Sequence, residues 1–210
     1  MNLPNAITIV RIVLCPLIWV LVMSPDTTVR LVGWVVFLAA ALSDLWDGHL
    51  ARKYGWVTDM GKLLDPLADK LLLVVSLVPI YLIAQGPGDA DQLAYWGELP
   101  LWAVLLIFGR EIFVTLFRQY AQRRGVVIAA GSWGKRKALV QNLFAGGALL
   151  WFPLAQLALD RGWSDQAAWG VWSIFHGLWN AVTLALAVGL TTYSLADYLW
   201  RYRGLLRPTS

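Results

Sequence analysis

The chain has 210 residues, a formal net charge of +4, and 59% hydrophobic against 14% charged residues, where a soluble domain carries roughly 45–50% and about 25%. With a mean hydropathy of +0.60, too few charges remain to wet a globule of this size. That excludes a disordered chain, a coiled coil and a soluble nucleic-acid binder. The composition is that of an integral membrane protein, and its basic surplus calls for an anionic partner, either a membrane surface or a phosphate-bearing substrate.

A bilayer crossing needs about 20 mostly apolar residues. Six windows supply them, at about 5–23, 30–51, 62–85, 98–119, 135–158 and 169–196. The expectation is an all-α, polytopic membrane protein with six transmembrane helices and a single domain, residues 1–210. The first window lacks the basic start and small-residue cleavage site of a signal peptide, so it reads as a retained span. Cys15 stands alone inside it as apolar filler. With only His49 and His176 besides, no zinc site can form. Trp96, Trp102, Trp163, Trp169 and Trp172 fall near span ends, as aromatic-belt residues do.

Cations set the orientation. Arg52, Lys53 and Lys62 follow the second span, Arg118, Arg123, Arg124, Lys135, Arg136 and Lys137 the fourth, and Arg201, Arg203 and Arg207 the last. The opposite turns hold only Arg30 and Arg161. Both termini are therefore expected in the cytoplasm.

Charges within spans are costly, at least about 2.5–3.5 kcal/mol each at a helix centre. The second span nevertheless ends in Asp44 and Asp47, and the third opens with Asp65 and Asp69. At about 100° per residue, Asp44, Asp47, Gly48 and Ala51 share one face, and Gly61, Asp65 and Asp69 share another. A nine-residue turn, Arg52 to Met60, joins the two helices, so they are expected antiparallel and adjacent, with the four carboxylates at one depth below the cytoplasmic interface. Four like charges require protons or cations to neutralise them. All-oxygen ligands favour Mg²⁺, Mn²⁺ or Ca²⁺, and carboxylates shared between divalent ions suit displacement at phosphorus. Gly48 and Gly61 bare backbone on the carboxylate faces, for close helix packing or for contact with a flat ligand.

Asp44, Asp47, Gly48, Ala51, Arg52, Gly61, Asp65 and Asp69 fill the motif D-x2-D-G-x2-A-R-x8-G-x3-D-x3-D without departure, eight fixed positions across 26 residues. The chain thereby resembles the CDP-alcohol phosphatidyltransferase family. The resemblance implies a homodimer that transfers a phosphatidyl group from CDP-diacylglycerol to an alcohol and releases CMP. It implies Mg²⁺ or Mn²⁺ at the four aspartates and the CDP donor held near Gly48, Ala51, Arg52 and Gly61. It also implies donor contacts from Asn5 and Thr8, in a bacterial inner membrane with the site facing the cytoplasm. Asp69, last in the motif, is the expected general base. The segments Pro4–Arg11, Arg110–Arg118, Gly134–Lys137 and Gln141 look like those of the family's bacterial phosphatidylglycerophosphate synthase branch, although Ala138 stands where that branch often has Thr.

A cationic patch follows from the residues themselves. Arg110, Glu111 and Arg118 share about 100° of arc on the fourth span, and Lys135 and Lys137 open the next helix from the same side. Arg110, Arg118, Lys135 and Lys137 suit an acceptor that carries its own phosphate, such as glycerol 3-phosphate. Pairing of Arg110 with Glu111 is the structural alternative, and Arg11 snorkelling to headgroups is that for the N-terminal segment. Inositol phosphate or phosphatidylglycerol as acceptor would show the same Asp motif. A cation transporter is the more distant alternative, disfavoured because no polar trail is expected to cross to the other face.

Overall fold

The computed structural model describes the backbone of residues 3–54, 59–94, 96–126 and 132–203, and the side chains of residues 5–43, 60–61, 64–94, 96–126 and 136–203. Six long helices follow one another: α1 (Leu3–Val22), α2 (Thr27–Tyr54), α3 (Asp59–Ile83), α4 (Leu101–Arg123), α5 (Ser132–Asp160) and α6 (Ala167–Arg201). A 3-10 turn (Asp89–Asp91) sits between α3 and α4. Among the described residues there is no strand, only a single antiparallel bridge between Leu93 and Gly97. The fold is all-helical.

Four helices are long and apolar enough to cross a membrane within the described residues, over Asn5–Val22, Leu64–Ile83, Arg136–Asp160 and Ala167–Arg201. In α2 the apolar stretch Thr27–Ser43 is shorter, and α4 carries Arg110, Glu111 and Arg118 within its apolar run. Helical periodicity accounts for α1. Asn5, Thr8, Arg11, Cys15, Ile18 and Val22, spaced by three and four, are all buried, whereas Val10, Val13, Leu17 and Val20 face outward. The inner face of α1 is thus polar over its first half and apolar over its second. At the start of α2, the Asp26 carboxylate accepts the Val29 N–H at 2.9 Å, a helix cap. Pro16, Pro66, Pro79 and Pro153 lie inside helices, which packed neighbours in a bundle tolerate.

The apolar core runs through α1, α2, α3 and α5, with Cys15, Ile18, Phe37, Leu72, Ile80, Phe144 and Phe152 at its centre. The expected α2–α3 pairing centres on side chains that lie outside the described residues. Within the described residues the two touch only briefly, and α1 packs broadly on both. Gly33 of α2 explains the close approach, because a Cβ there would meet the Leu21 Cβ at 2.9 Å and the Val22 backbone N at 3.1 Å. Trp169 and Trp172 turn inward from the expected belt. Trp169 stacks on Trp151 at 5.8 Å between ring centroids, and Trp172 tilts against His176 at 5.2 Å.

A second correction concerns α6. Its inner face carries His176, Asn180, Thr183, Thr191, Ser194 and Tyr198, all buried at spacings of three or four or their sums, so a polar line does run along the bundle. Several of these groups bond to helix carbonyls. Thr183 Oγ1 donates to Trp179 O at 2.7 Å, Ser194 Oγ to Thr191 O at 3.0 Å, and His176 Nε2 lies 2.8 Å from Gly147 O. Polar groups spent on helix backbone act as packing contacts.

Gly147 lets α5 meet this line, since a Cβ there would lie 2.5 Å from Asn180 Oδ1 and 2.7 Å from the Trp179 ring. Gly147→Val should therefore cost about 1–3 kcal/mol through overpacking. Gly170→Ala, with nothing within 4 Å of the added carbon, should be neutral or slightly stabilising. Thermal unfolding of the two variants in detergent checks the contrast.

Candidate active site

The first charged cluster joins α1 to α3. Asp65 and Asp69 stand one helical turn apart on α3, and the polar half of α1 lies against them. Thr8 Oγ1 donates to Asp65 Oδ1 at 2.9 Å, and an Arg11 guanidinium nitrogen donates to Asp69 Oδ1 at 3.4 Å. Arg11 is 1% exposed, while the Asp69 side chain is 57% exposed. Arg11 therefore does not snorkel. It offsets the carboxylate from behind and leaves the front of Asp69 open. Asn5 is buried one turn before Thr8, and Gly61 is buried one turn before Asp65.

The remaining motif residues, Asp44, Asp47, Gly48, Ala51 and Arg52, lie in α2 by backbone, with side chains outside the described residues. The convergence of all four carboxylates therefore falls outside the described residues. The pair that is described offers only oxygen ligands, the type that suits a hard divalent cation, and both side chains are exposed.

The second cluster joins α4, α5 and α6. Glu111 Oε1 accepts from an Arg110 guanidinium nitrogen at 3.0 Å and also from Lys137 Nζ. Arg110 Nε donates to Ser194 Oγ of α6 at 3.2 Å. One turn away, Gln141 Nε2 donates to Thr191 Oγ1 at 3.4 Å. Arg110 belongs to the buried face of α4 together with Val114, Phe117 and Ala121, and Lys137 is likewise buried. Among the described residues, two buried cations thus share one carboxylate, leaving a surplus of positive charge. Half-buried Arg118 adds to it, beside the buried Tyr198 of α6. Lys135 opens α5 with its side chain outside the described residues.

Arg110, Glu111 and Lys137 are thus brought together as their spacing suggests. Reading the sequence missed the α6 partners Thr191, Ser194 and Tyr198. Their spacing of three and four was the available signal, diluted by the apolar residues on the rest of that helix.

These features define a helical membrane protein with two charged clusters inside its bundle, one presenting carboxylates and the other holding surplus cations. The chain belongs to the CDP-alcohol phosphatidyltransferase family, whose sequence model matches residues 1–193. A protein of Mycobacterium tuberculosis (strain CDC 1551 / Oshkosh) named "Probable phosphatidylglycerophosphate synthase" is 36% identical over 149 residues, covering 69% of this chain and 64% of that one. The chain thus spans less than two thirds of that relative's length. A "CDP-diacylglycerol--glycerol-3-phosphate 3-phosphatidyltransferase" of Bacillus subtilis (strain 168) is 33% identical over 201 residues, with 86% and 97% covered. One of the same name from Pseudomonas fluorescens is 32% identical over 202 residues, with 95% and 89% covered.

If the inner contacts hold α1 against α3, Thr8→Val should cost about 1 kcal/mol for one lost hydrogen bond. Arg11→Ala should cost about 2–4 kcal/mol, since it removes a buried side chain together with half of an ion pair. Chemical or thermal unfolding in detergent gives both values, and equal costs would exclude the Arg11 pair as the stronger tie.

Proposed function

We propose that the chain transfers the phosphatidyl group of CDP-diacylglycerol to glycerol 3-phosphate, giving phosphatidylglycerol phosphate and CMP. The observation that carries this reading is the surplus of positive charge at Arg110, Lys137 and Arg118, which suits an acceptor bearing a phosphate. The relatives from Bacillus subtilis and Pseudomonas fluorescens, named for the same two substrates, support this reading. The accompanying reading is a homodimer with six transmembrane helices and cytoplasmic termini, in a bacterial inner membrane, with the site facing the cytoplasm.

Asp44, Asp47, Asp65 and Asp69 would hold Mg²⁺ or Mn²⁺. When bound, the ion neutralises the diphosphate and polarises the phosphorus that bears the diacylglyceryl group. Gly48, Ala51, Arg52 and Gly61 line the CDP end of the donor, with Asn5 and Thr8 on its diphosphate side. Arg110, Arg118, Lys135 and Lys137 bind the acceptor phosphate and so bring its free hydroxyl in line with the donor phosphorus. Asp69 takes the proton of that hydroxyl. The hydroxyl oxygen bonds to phosphorus, the bond from that phosphorus to the CMP oxygen breaks with its electron pair, and CMP leaves.

Purified protein incubated with CDP-diacylglycerol, Mg²⁺ and each candidate acceptor should yield a lipid of the mass of phosphatidylglycerol phosphate with glycerol 3-phosphate alone. A product with inositol phosphate or phosphatidylglycerol instead would reassign the acceptor, and ion flux without any CDP-lipid would favour a transporter. Excess EDTA should stop turnover, and Mg²⁺ or Mn²⁺ should restore it. Asp69→Asn should slow CMP release by about 10²–10⁴-fold, the usual share of a general base, while membrane insertion is kept. Arg118→Ala should raise the KM for glycerol 3-phosphate by about tenfold, as loss of one charge-assisted contact does, and should leave the donor KM unchanged.

A further inference from the structure

From the contacts around Arg110 we infer that Glu111 and Ser194 are positioning residues for acceptor-phosphate binding. They fix Arg110 and Lys137 in the geometry that receives the phosphate. The inference rests on the acceptor reading above and adds to it two residues that bind no substrate themselves.

A guanidinium and an ammonium inside a bundle repel one another unless an anion lies between them, and long side chains carry rotamer freedom that binding must otherwise freeze. Glu111 Oε1 is that anion, accepting from both Arg110 and Lys137. Arg110 is held from its other side, where Nε donates to Ser194 Oγ at 3.2 Å. The Ser194 hydroxyl spends its own proton on Thr191 O at 3.0 Å, so toward Arg110 its oxygen acts as acceptor, and its orientation is set by the α6 backbone. The guanidinium is thus pinned at two points by different helix positions, and Lys137 of α5 is tied to the same carboxylate. Ser194 lies just beyond the residues that the family model matches.

The sign of one effect separates positioning from simple electrostatics. A carboxylate beside a phosphate site repels the phosphate. If Glu111 did no more than this, Glu111→Gln, which keeps the shape and removes the charge, would lower the KM for glycerol 3-phosphate. If Glu111 positions the cations, the same substitution raises it. Steady-state kinetics with both substrates varied should show that KM for glycerol 3-phosphate rises about tenfold in Glu111→Gln and in Ser194→Ala, the scale of one hydrogen bond to a charged group. The donor KM should be unchanged and kcat should change less than the acceptor KM. Ser194→Thr, which keeps the hydroxyl, should restore the acceptor KM.

A lowered or unchanged acceptor KM in Glu111→Gln overturns the inference. So does a loss of thermal stability in Ser194→Ala with both KM values unaltered, since that is what mere helix packing gives. Lys137→Ala and Arg118→Ala run alongside. If neither raises the acceptor KM, the acceptor site itself is elsewhere. If both do while Glu111→Gln and Ser194→Ala do not, only the positioning claim falls.

Discussion

A charge inside a membrane span is costly unless it finds a polar or oppositely charged partner, and the partners supplied by neighbouring helices organise this bundle. Arg11 of α1 faces Asp69 of α3. Arg110 and Glu111 of α4 face Lys137 of α5 and Ser194 of α6. The two clusters are built with opposite polarity. In the first the cation is buried and the carboxylate faces out, so the open side is negative. In the second, among the described residues, the cations are buried around one carboxylate and outnumber it, so the unmet potential is positive. Carboxylates that face outward attract metal ions, and cations in excess attract phosphate. An enzyme joining a diphosphate donor to a phosphate-bearing acceptor needs one of each.

Helix α1 is what makes the first cluster possible. Its inner stripe changes from Asn5, Thr8 and Arg11 to Cys15, Ile18 and Val22 along a single face. The same helix can therefore pack into the apolar core at one end and bond to carboxylates at the other. Helix α1 lies against both α2 and α3 and so links the two, which within the described residues touch only briefly. An arginine on that stripe costs least where a carboxylate is within reach, and this ties the register of α1 to the Asp69 position.

The Asp motif was legible because carboxylates in a span have no bland explanation and their spacing is fixed by the helix. The six helices were legible from hydropathy, and the grouping of Arg110, Glu111 and Lys137 from the charges at the end of the fourth window and the start of the fifth. Three features were not. A nine-residue turn between α2 and α3 implies that they are neighbours in sequence, but it says nothing of a third helix packing across both, which a glycine at position 33 permits. The polar line of α6 was hidden because hydropathy averages around a helix, and the exposed Val171, Ile174, Phe175, Leu178 and Val182 outweigh His176 and Asn180. Trp169 and Trp172 look like interfacial residues in sequence, yet stacking with Trp151 and His176 draws them inward.

The division between the clusters also bears on how one family scaffold could serve different acceptors. The eight-residue motif spans only α2 and the start of α3, and α1 meets it from outside through Thr8 and Arg11, so on the proposed reading these three helices form the donor side. The contacts that order the cationic cluster come from α4, α5 and α6, and one of them, Ser194, comes from beyond the stretch that the family model matches. An acceptor is distinguished by how many anionic oxygens it presents and at what angle, and a bidentate guanidinium reads such angles only when its own orientation is fixed. On the proposed reading, changing what holds Arg110 would alter acceptor choice while leaving the donor side intact, so the residues that set specificity need not be those that touch the substrate.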